Sequence, residues 1–296
     1  MICKLEKRGS QVLEKLNIIW RIYKRNNKFR VGLTIFLILL ALGFFGYLFS
    51  PMDTKRWWIV PRDQPPSIAH PLGTSSMGRD VFWELCNSIL NSLIIAAITA
   101  LIAAHVGLLV GLISGIKGGI IDRALMFITD TFINIPGLPL LIVITSVIKS
   151  WITLPLLGVL MSLISWTWPA RQIRAMTLSL RERTFIHTSI LSGMHTGKLI
   201  LQEIMPFIIG WHLINFTNTM LFSIGFEAGL AILGLSILGE NTLGVMLYWA
   251  LNQYYALFRG LWWWIGAPVI TLIFIFISLY LISVGLSEYL APLGGR

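Results

Sequence analysis

Charged side chains are scarce in this sequence of 296 residues. Asp, Glu, Lys and Arg together make up 12% of the chain, whereas about 25% is usual in soluble domains, and 56% of the residues are hydrophobic. A water-soluble fold of this length could not keep so large an apolar surface away from water. The composition therefore predicts an integral membrane protein whose surface is in contact with membrane lipid.

Cysteine is rare as well, with two residues in the chain. Cys3 precedes the first apolar segment and Cys86 follows it, so the two thiols are expected on opposite faces of a membrane. No disulfide is expected between them, and no metal-ligand spacing is present. The sequence accordingly predicts neither a metal nor any other cofactor.

Nucleotide-binding and catalytic motifs are also missing. A phosphate-binding loop needs Gly-x4-Gly-Lys-Ser/Thr, so that backbone amides surround the phosphate and a hydroxyl reaches the metal. The stretch from Gly193 to Leu199 has three residues between its glycines and Leu in place of the hydroxyl. Because the apolar segments hold no acid–base pair or nucleophile constellation either, the chain is predicted not to be an enzyme.

Positive charge is concentrated at the amino terminus. Nine of the 23 Lys and Arg lie within the first 30 residues, and the net charge is +10. Such a segment is typical of a cytoplasmic flank beside anionic lipid headgroups, so we expect no nucleic-acid partner. The long apolar stretch that follows is interpreted as a retained membrane span, since it lacks the cleavage site of a signal peptide.

Six long stretches without charged residues predict six transmembrane helices. A helix needs about 20 mostly apolar residues to cross a bilayer. The six stretches are 31–52, 85–116, 131–148, 150–170, 204–226 and 260–287. A seventh stretch, 241–258, is more polar and is expected to form an interfacial or loop helix. With the amino terminus inside, the inner segments hold 17 basic residues and the outer segments six, as the positive-inside rule requires.

This topology divides the chain into five parts. Residues 1–30 are expected to form a cytoplasmic segment, 31–50 the first transmembrane helix and 51–87 an external loop. Residues 88–288 are expected to form a five-helix core, and residues 289–296 a cytoplasmic tail. The predicted fold class is thus an all-α membrane protein with both termini in the cytoplasm.

Several polar side chains lie inside the predicted spans. They are Asn91 and His105 in the second span, and Asn215 and Asn218 in the fifth. Polar groups at this depth face other helices or water, so they either form interhelical hydrogen bonds or line a polar translocation path. A single histidine such as His105 is more often a packing residue than a proton relay. Small residues spaced four apart in the second span predict close helix packing there: Gly107, Gly111 and Gly115.

The longest inner loop predicts a short helix on the cytoplasmic face. Its expected start is near Glu182, where a negative charge favours a helix amino terminus, and Gly193 permits a turn out of it. Met205 and Pro206 then lie at the entrance to the fifth span. A helix with small residues on its surface suits a groove in a partner protein, although a loop helix that contacts nothing is the alternative.

This inner loop resembles the cytoplasmic signature of binding-protein-dependent ABC importer permeases. In that signature an Ala-Ala pair precedes a Gly by four residues and Leu-Pro follows. Thr188 and Ser189 stand at the Ala pair, Gly193 at the glycine, and Met205-Pro206 at Leu-Pro.

An external segment narrows the resemblance to dipeptide/oligopeptide/nickel permeases. Residues 70–81 are similar to the outer-loop signature of that group, with matches at Leu72, Gly73, Thr74, Gly78, Arg79 and Asp80. Further matches follow in order at 118–122, Asp130, Pro136, 165–166, 169–171, Arg174, 227–228 and 233–235. We interpret the Arg79–Asp80 pair as a structural ion pair or helix cap, with a substrate contact as the alternative.

The resemblance implies the fold and the partners of a type I ABC importer. Such a permease pairs with a second permease, binds two cytoplasmic ABC ATPases and receives its substrate from an external binding protein. It would lie in a prokaryotic inner membrane. The residues that the resemblance assigns to ATPase coupling are Glu182, Phe185, Thr188, Ser189, Gly193, Met205 and Pro206. Oligopeptides are the leading substrate class, while nickel or other metal chelates and oligosaccharides stay open.

A gradient-driven secondary transporter or channel is the alternative class of protein. Such a transporter needs carboxylates within the membrane or an inverted repeat. The predicted spans hold carboxylates only at their ends, and no repeat is apparent. These two features favour the importer permease.

Overall fold

The computed structural model describes residues 21–148, 151–252 and 255–290. Within these ranges the chain is helical apart from loops and one isolated bridge between Thr74 and Asp80. The main helices are α1 (Asn27–Phe49), α2 (Val81–Lys117), α3 (Gly119–Asn134), α4 (Gly137–Val147), α5 (Leu154–Ser165), α6 (Thr167–Arg181), α7 (Thr184–Leu191), α8 (Met205–Ile232), α9 (Leu243–Asn252) and α10 (Trp262–Leu290). Cys3, most of the basic amino-terminal segment and residues 291–296 of the predicted tail lie outside the described residues.

Four helices of the described chain are long and apolar enough to cross a membrane. They are α1, α2, α10 and the continuous helical stretch Thr196–Ile232 that contains α8. A fifth span is possible if α3 and α4 count as one, although they are bent by 81° relative to each other. The predicted number of six is therefore not confirmed by the helices themselves, and neither is the placement of the termini.

Two of the predicted spans are interrupted in the structure, and a proline explains each interruption. The predicted span 131–148 is broken at Ile135, whose backbone is extended with ψ 123°, because the residue before a proline is disfavoured in the helical region and Pro136 follows. The predicted span 150–170 is divided between α5 and α6 at Trp166. Pro169 has no N–H to donate to the carbonyl of Ser165, which favours a break at this point.

α2 is the central helix of the bundle. It has 37 residues, which corresponds to about 55 Å, and it packs against α1, α5, α6 and α8. Gly107, Gly111 and Gly115 face α6, where an added Cβ atom would come within 2.6 Å of an atom of Pro169, Ala170 and Thr177 respectively. The prediction that these glycines allow close helix packing is thus confirmed.

α1 and α10 pack against each other and so bring the two ends of the described chain together. The Asn26 side-chain oxygen caps α1 by accepting a hydrogen bond from the Phe29 N–H, and its amide donates to Glu288 near the end of α10. Lys28 forms an ion pair with the same carboxylate. The helix pair is close because Gly285 of α10 lies against the Phe29 backbone. α1 is therefore fixed to the bundle at its amino-terminal end.

α9 is buried within the bundle. The stretch 241–258 was predicted to form an interfacial or loop helix, and α9 packs between α8 and α10 with five buried hydrophobic residues. These are Leu243, Val245, Met246, Leu247 and Ala250. The apolar centre of the stretch enters the core, and its position relative to the membrane interface stays a prediction.

The close α2–α6 contact predicts that alanine substitutions at two glycines change the free energy of unfolding by different amounts. We expect Gly111→Ala to lower the free energy of unfolding by ~1–3 kcal/mol, since the new methyl group would lie 2.6 Å from the Ala170 carbonyl oxygen. Gly229→Ala is the matched control, because nothing lies within 4 Å of its added Cβ. Thermal unfolding of the detergent-solubilised protein measures both, and a Gly111→Ala midpoint at or above that of the wild type would contradict the packing.

Candidate functional site

A short helix, α7, projects from the end of the bundle that joins α6 to α8. It runs from Thr184 to Leu191, with Arg183 as its N-cap. Glu182, which was predicted to lie near the start of this helix, lies two residues before Thr184 and caps the carboxyl end of α6. The Arg183 N–H bonds back to the Leu180 carbonyl, so a turn separates the two helices.

One face of α7 holds it to the bundle. Ile186 is fully buried among apolar side chains of α2, α6 and α8. The Phe185 ring lies against Phe207 of α8, with centroids 5.6 Å apart. These two contacts hold α7 against the bundle.

The exposed side chains of α7 are partly apolar. Leu191 is 87% exposed and Ile190 is 46% exposed. Thr188 is also exposed, and Ser189 is half-buried. An exposed apolar surface next to small polar side chains is typical of a place where another protein docks.

Gly193 ends the helix in a conformation that other residues disfavour. Its φ is 75°, and the Met194 N–H bonds to the Ser189 carbonyl across the turn. An added Cβ at Gly193 would have nothing within 4 Å. The glycine is therefore required by the backbone turn and not by crowding within this chain.

Met205 and Pro206 mark the start of α8, as predicted. A π-helical segment, Leu199–Ile204, precedes them, and the Met205 N–H bonds to the carbonyl of Ile200, five residues back. Pro206 has no N–H for the ordinary helical bond to residue 202, which favours the wider turn before it. The proline thus sets the entry of α8 into the bundle.

Two ion pairs join α3 to α6, the helix that leads into α7. Arg174 binds Asp122 with two hydrogen bonds of 2.5 and 2.6 Å, and Arg171 binds Asp130 at 2.7 Å. The bidentate bond to Asp122 raises the pKa of the Arg174 guanidinium. These four residues match the family signature, but the sequence alone did not show that they pair.

The external motif folds as a structural unit. Gly73 and Gly78 have φ values of 68° and 69°, and an added Cβ at either would meet backbone or indole atoms within 3 Å. The Thr74 hydroxyl donates to the Pro61 carbonyl and accepts from the Gln64 N–H. These contacts hold the loop before α2 together and place Gly73 against Trp263 of α10.

Asp80 and Arg79 have separate structural roles. Asp80 caps α2 by accepting hydrogen bonds from the Phe82 and Trp83 N–H groups, which supports the interpretation as a cap. Arg79 is buried and pairs with Glu84 at 2.8 Å rather than with Asp80. Its guanidinium also donates to the Asn241 side chain and so ties the loop to the segment before α9.

The four residues predicted to line a path fall into three places. Asn91 donates to the Asn241 carbonyl at 2.7 Å and therefore cross-links α2 to the external segment. His105 is exposed on α2 and contacts His212 of α8. Asn215 and Asn218 line a cleft of about 430 Å³ between α8 and the α5–α6 junction. His105, Asn215 and Asn218 thus lie toward one side of α8, whereas Asn91 lies elsewhere.

Two further polar residues are buried in α8, and His212 was missed by the sequence reasoning. His212 is 4% exposed and lies next to Trp211, whose ring stacks on Trp168 of the cleft. Glu227, one of the family matches, is 1% exposed near the end of α8 and accepts hydrogen bonds from Ser236 and Thr242. These hydrogen bonds fasten α8 to the following loop.

Together, a bundle of long apolar helices, a projecting short helix and a largely apolar cleft with two asparagines are typical of a membrane permease. Residues 107–293 match the family described as "Binding-protein-dependent transport system inner membrane component". The chain belongs to this family, whose members are the membrane subunits of ABC importers.

Curated relatives cover most of the chain. The dipeptide transport system permease protein DppC of Bacillus subtilis (strain 168) is 30% identical over 92% of this chain and 84% of its own length. The oligopeptide transport system permease protein OppC of Lactococcus lactis subsp. cremoris (strain SK11) is 29% identical over 87% and 88%. The nickel transport system permease protein NikC of Escherichia coli (strain K12) is 26% identical over 70% and 74%.

A solved structure has a similar fold. A chain of the MetNI methionine ABC transporter, in an inward-facing conformation, superposes with a TM-score of 0.56 at 20% sequence identity. The match covers 71% of this chain and 96% of that chain. It supports the fold of an importer permease for the larger part of the bundle.

The buried Arg79–Glu84 pair predicts a large effect on stability. We expect Arg79→Met to lower the free energy of unfolding by ~3–5 kcal/mol, because Glu84, 3% exposed, would be left buried without its partner. Arg56→Met is the matched control, since the Arg56–Asp53 pair is exposed and is worth ~0–1 kcal/mol. Thermal unfolding in detergent compares them, and equal midpoints would contradict a structural role for Arg79.

Proposed function

We propose that this chain and a second permease form a path for oligopeptides across a prokaryotic inner membrane. An external binding protein would deliver the substrate, and two cytoplasmic ABC ATPases would drive its transport. The observation that carries the proposal is α7, which is fixed to the bundle through Ile186 and exposes Leu191 on its other side. The names of DppC and OppC support peptides as the substrate class.

The proposed topology has six spans with both termini in the cytoplasm. α1, α2, α8 and α10 supply four of them. The bent pair α3–α4 is the third in chain order, and α5 with the beginning of α6 is the fourth. This arrangement puts α7, the α3–α6 ion pairs and the basic amino terminus on the cytoplasmic side, in agreement with the distribution of Lys and Arg.

The proposed mechanism is rigid-body switching. Closure of the ATPase pair on ATP would move α7, and the buried Ile186 would transmit the movement to α2, α6 and α8. α3 would follow α6, because Asp122 and Asp130 bind its arginines. The movement would alternately open the cleft on α8 to either side of the membrane.

Gly193→Trp tests this function. The indole would project from a position with nothing within 4 Å, so insertion and folding are expected to continue, at a cost of about 1–3 kcal/mol from the positive φ. Docking of an ATPase against α7 would be blocked. We expect the wild-type chain to co-purify with a second permease and two ATPases, and the variant to lose substrate-stimulated ATP hydrolysis.

Gly260→Trp is the matched control for this experiment. Gly260 also has a positive φ, 68°, and open space around an added Cβ, but it lies in the loop before α10. We expect this variant to retain its ATPases. Coupling that is unchanged in Gly193→Trp, or a wild-type chain that is active without any ATPase subunit, would contradict the proposal.

A further inference from the structure

The cleft beside α8 lies near the middle of that helix and is bounded by uncharged residues. Its volume of about 430 Å³ is within the usual range of about 300–1,000 Å³ for small-molecule sites. Asn215 lies ten residues after the start of α8 at Met205, which is about 15 Å along the helix. Among the described residues that line the cleft, none is Asp, Glu, Lys or Arg. A charged group would therefore enter the cleft without an ion-pair partner.

Two aromatic side chains form apolar walls of the cleft. Trp168 of α6 is exposed, and its ring stacks on Trp211 of α8 with the centroids 6.0 Å apart. Phe222 of α8 is exposed as well, and its ring lies against Phe226 with the centroids 5.1 Å apart. Because each ring is held by a neighbour, the walls are fixed surfaces that favour an apolar side chain between them.

Two asparagine amides lie one turn apart in the same cleft. Seven buried side-chain atoms of the described residues have no hydrogen-bond partner, and Nδ2 of Asn215 is the one that belongs to a residue of this cleft. Asn218 is exposed in the cleft. Since buried polar groups nearly always have a partner, the amide of Asn215 indicates a ligand that accepts a hydrogen bond.

A peptide bond fits this pair of amides better than lipid or a helix does. A lipid acyl chain has no hydrogen-bonding group to offer. A helix of another subunit has bonded its backbone N–H and C=O groups internally. An extended peptide leaves these groups free, and a carboxamide can both donate to the C=O and accept from the N–H. The amides thus match the backbone of a peptide, and the aromatic walls match an apolar side chain beside it.

We propose that this cleft is a subsite that selects peptides with an uncharged, apolar residue. Asn215 and Asn218 bind a peptide bond of the cargo. Trp168 and Phe222 contact the side chain next to that bond. The permease therefore discriminates among peptides after the external binding protein has released them. This inference rests on the proposed function and adds selectivity to the path.

Photocrosslinking in the purified complex tests the subsite. The complex in lipid nanodiscs would be illuminated with a tripeptide that carries photoreactive benzoylphenylalanine between two alanines, and the modified residues identified by mass spectrometry. We expect modification within 164–169 and 215–222. Ala-Phe-Ala should compete at a concentration about 10-fold or more below that of Ala-Lys-Ala or Ala-Glu-Ala, because a charge within the membrane is costly. Absence of modification in these ranges, or equal competition by the three peptides, would overturn the proposal.

Asn218→Leu tests the contribution of the exposed amide. Loss of its hydrogen bond should reduce crosslinking by about 2- to 10-fold. Asn134→Leu is the matched control, since Asn134 is also exposed but donates to the Asp130 carbonyl of its own helix, and crosslinking should be unchanged. Equal crosslinking in Asn218→Leu and the wild type contradicts the proposal. So does release of the second permease by Asn218→Leu, which would identify the cleft as a subunit interface.

Asn215→Leu separates cargo binding from a structural role. Because Nδ2 of Asn215 has no partner within the chain, its removal should keep or raise the thermal unfolding midpoint while crosslinking falls. Asn87→Leu is the control, since it removes a buried amide that donates to the Trp83 carbonyl. This variant should keep its crosslinking without a higher midpoint. A lowered midpoint with unchanged crosslinking in Asn215→Leu would show a structural role and refute the subsite.

Failure of the proposed function would give a different result. A complex that retains its ATPases but shows no crosslinking in the cleft refutes the subsite and leaves the proposed function standing. A chain that purifies without ATPase subunits contradicts the proposed function itself. Co-purification and crosslinking therefore report on the two proposals separately.

Discussion

Inside an apolar helical bundle a polar side chain must find its partner within the protein, because lipid offers none. The described chain meets this constraint in part, through buried polar groups that pair where α2 begins and α8 ends. Arg79 pairs with Glu84 and Asn241, and Glu227 of α8 accepts hydrogen bonds from Ser236 and Thr242. These bonds fasten the loops to the two helices.

Seven buried side-chain atoms of the described residues have no hydrogen-bond partner, and two of them belong to His212 and Asn215 on one side of α8. Asn218 is exposed in the cleft beside Asn215. A polar face of this kind is costly against lipid and is favourable against water or a polar substrate. α8 is also the helix that follows α7 in the chain, through the π-helical segment and Pro206. In the proposed function, the surface that would meet the cargo and the surface that would meet the ATPase therefore lie on adjoining parts of one segment.

Much of this arrangement could be predicted from local sequence. The glycine spacing in α2, the cap at Asp80 and the turn at Gly193 each depend on residues within a few positions of one another. The breaks at Ile135 and Trp166 were missed, because charge-free length was used to define the spans and the prolines beside the breaks were given no weight. The start of α7 was misplaced by two residues, since the turn at Arg183 depends on a backbone bond to α6.

Contacts between distant segments could not be predicted in this way. Arg174 and Asp122 are 52 residues apart in the chain, and Arg79 and Asn241 are 162 apart. Hydropathy gives the depth of a side chain but not the helix that it faces, so His212 was not recognised as the partner of His105. The resemblance to importer permeases identified Arg174 and Asp122 as family matches, and the structure showed that they form an ion pair.

Thiol labelling of α8 tests most directly whether its polar side faces an aqueous path. In a chain without Cys3 and Cys86, Asn218→Cys should react with a small, charged, membrane-impermeant thiol reagent, at a rate that changes when the ATPases bind ATP. Ile273→Cys, 50% exposed on the apolar surface of α10, should stay unreactive. An Asn218→Cys variant as unreactive as Ile273→Cys in every nucleotide state would contradict a path along α8.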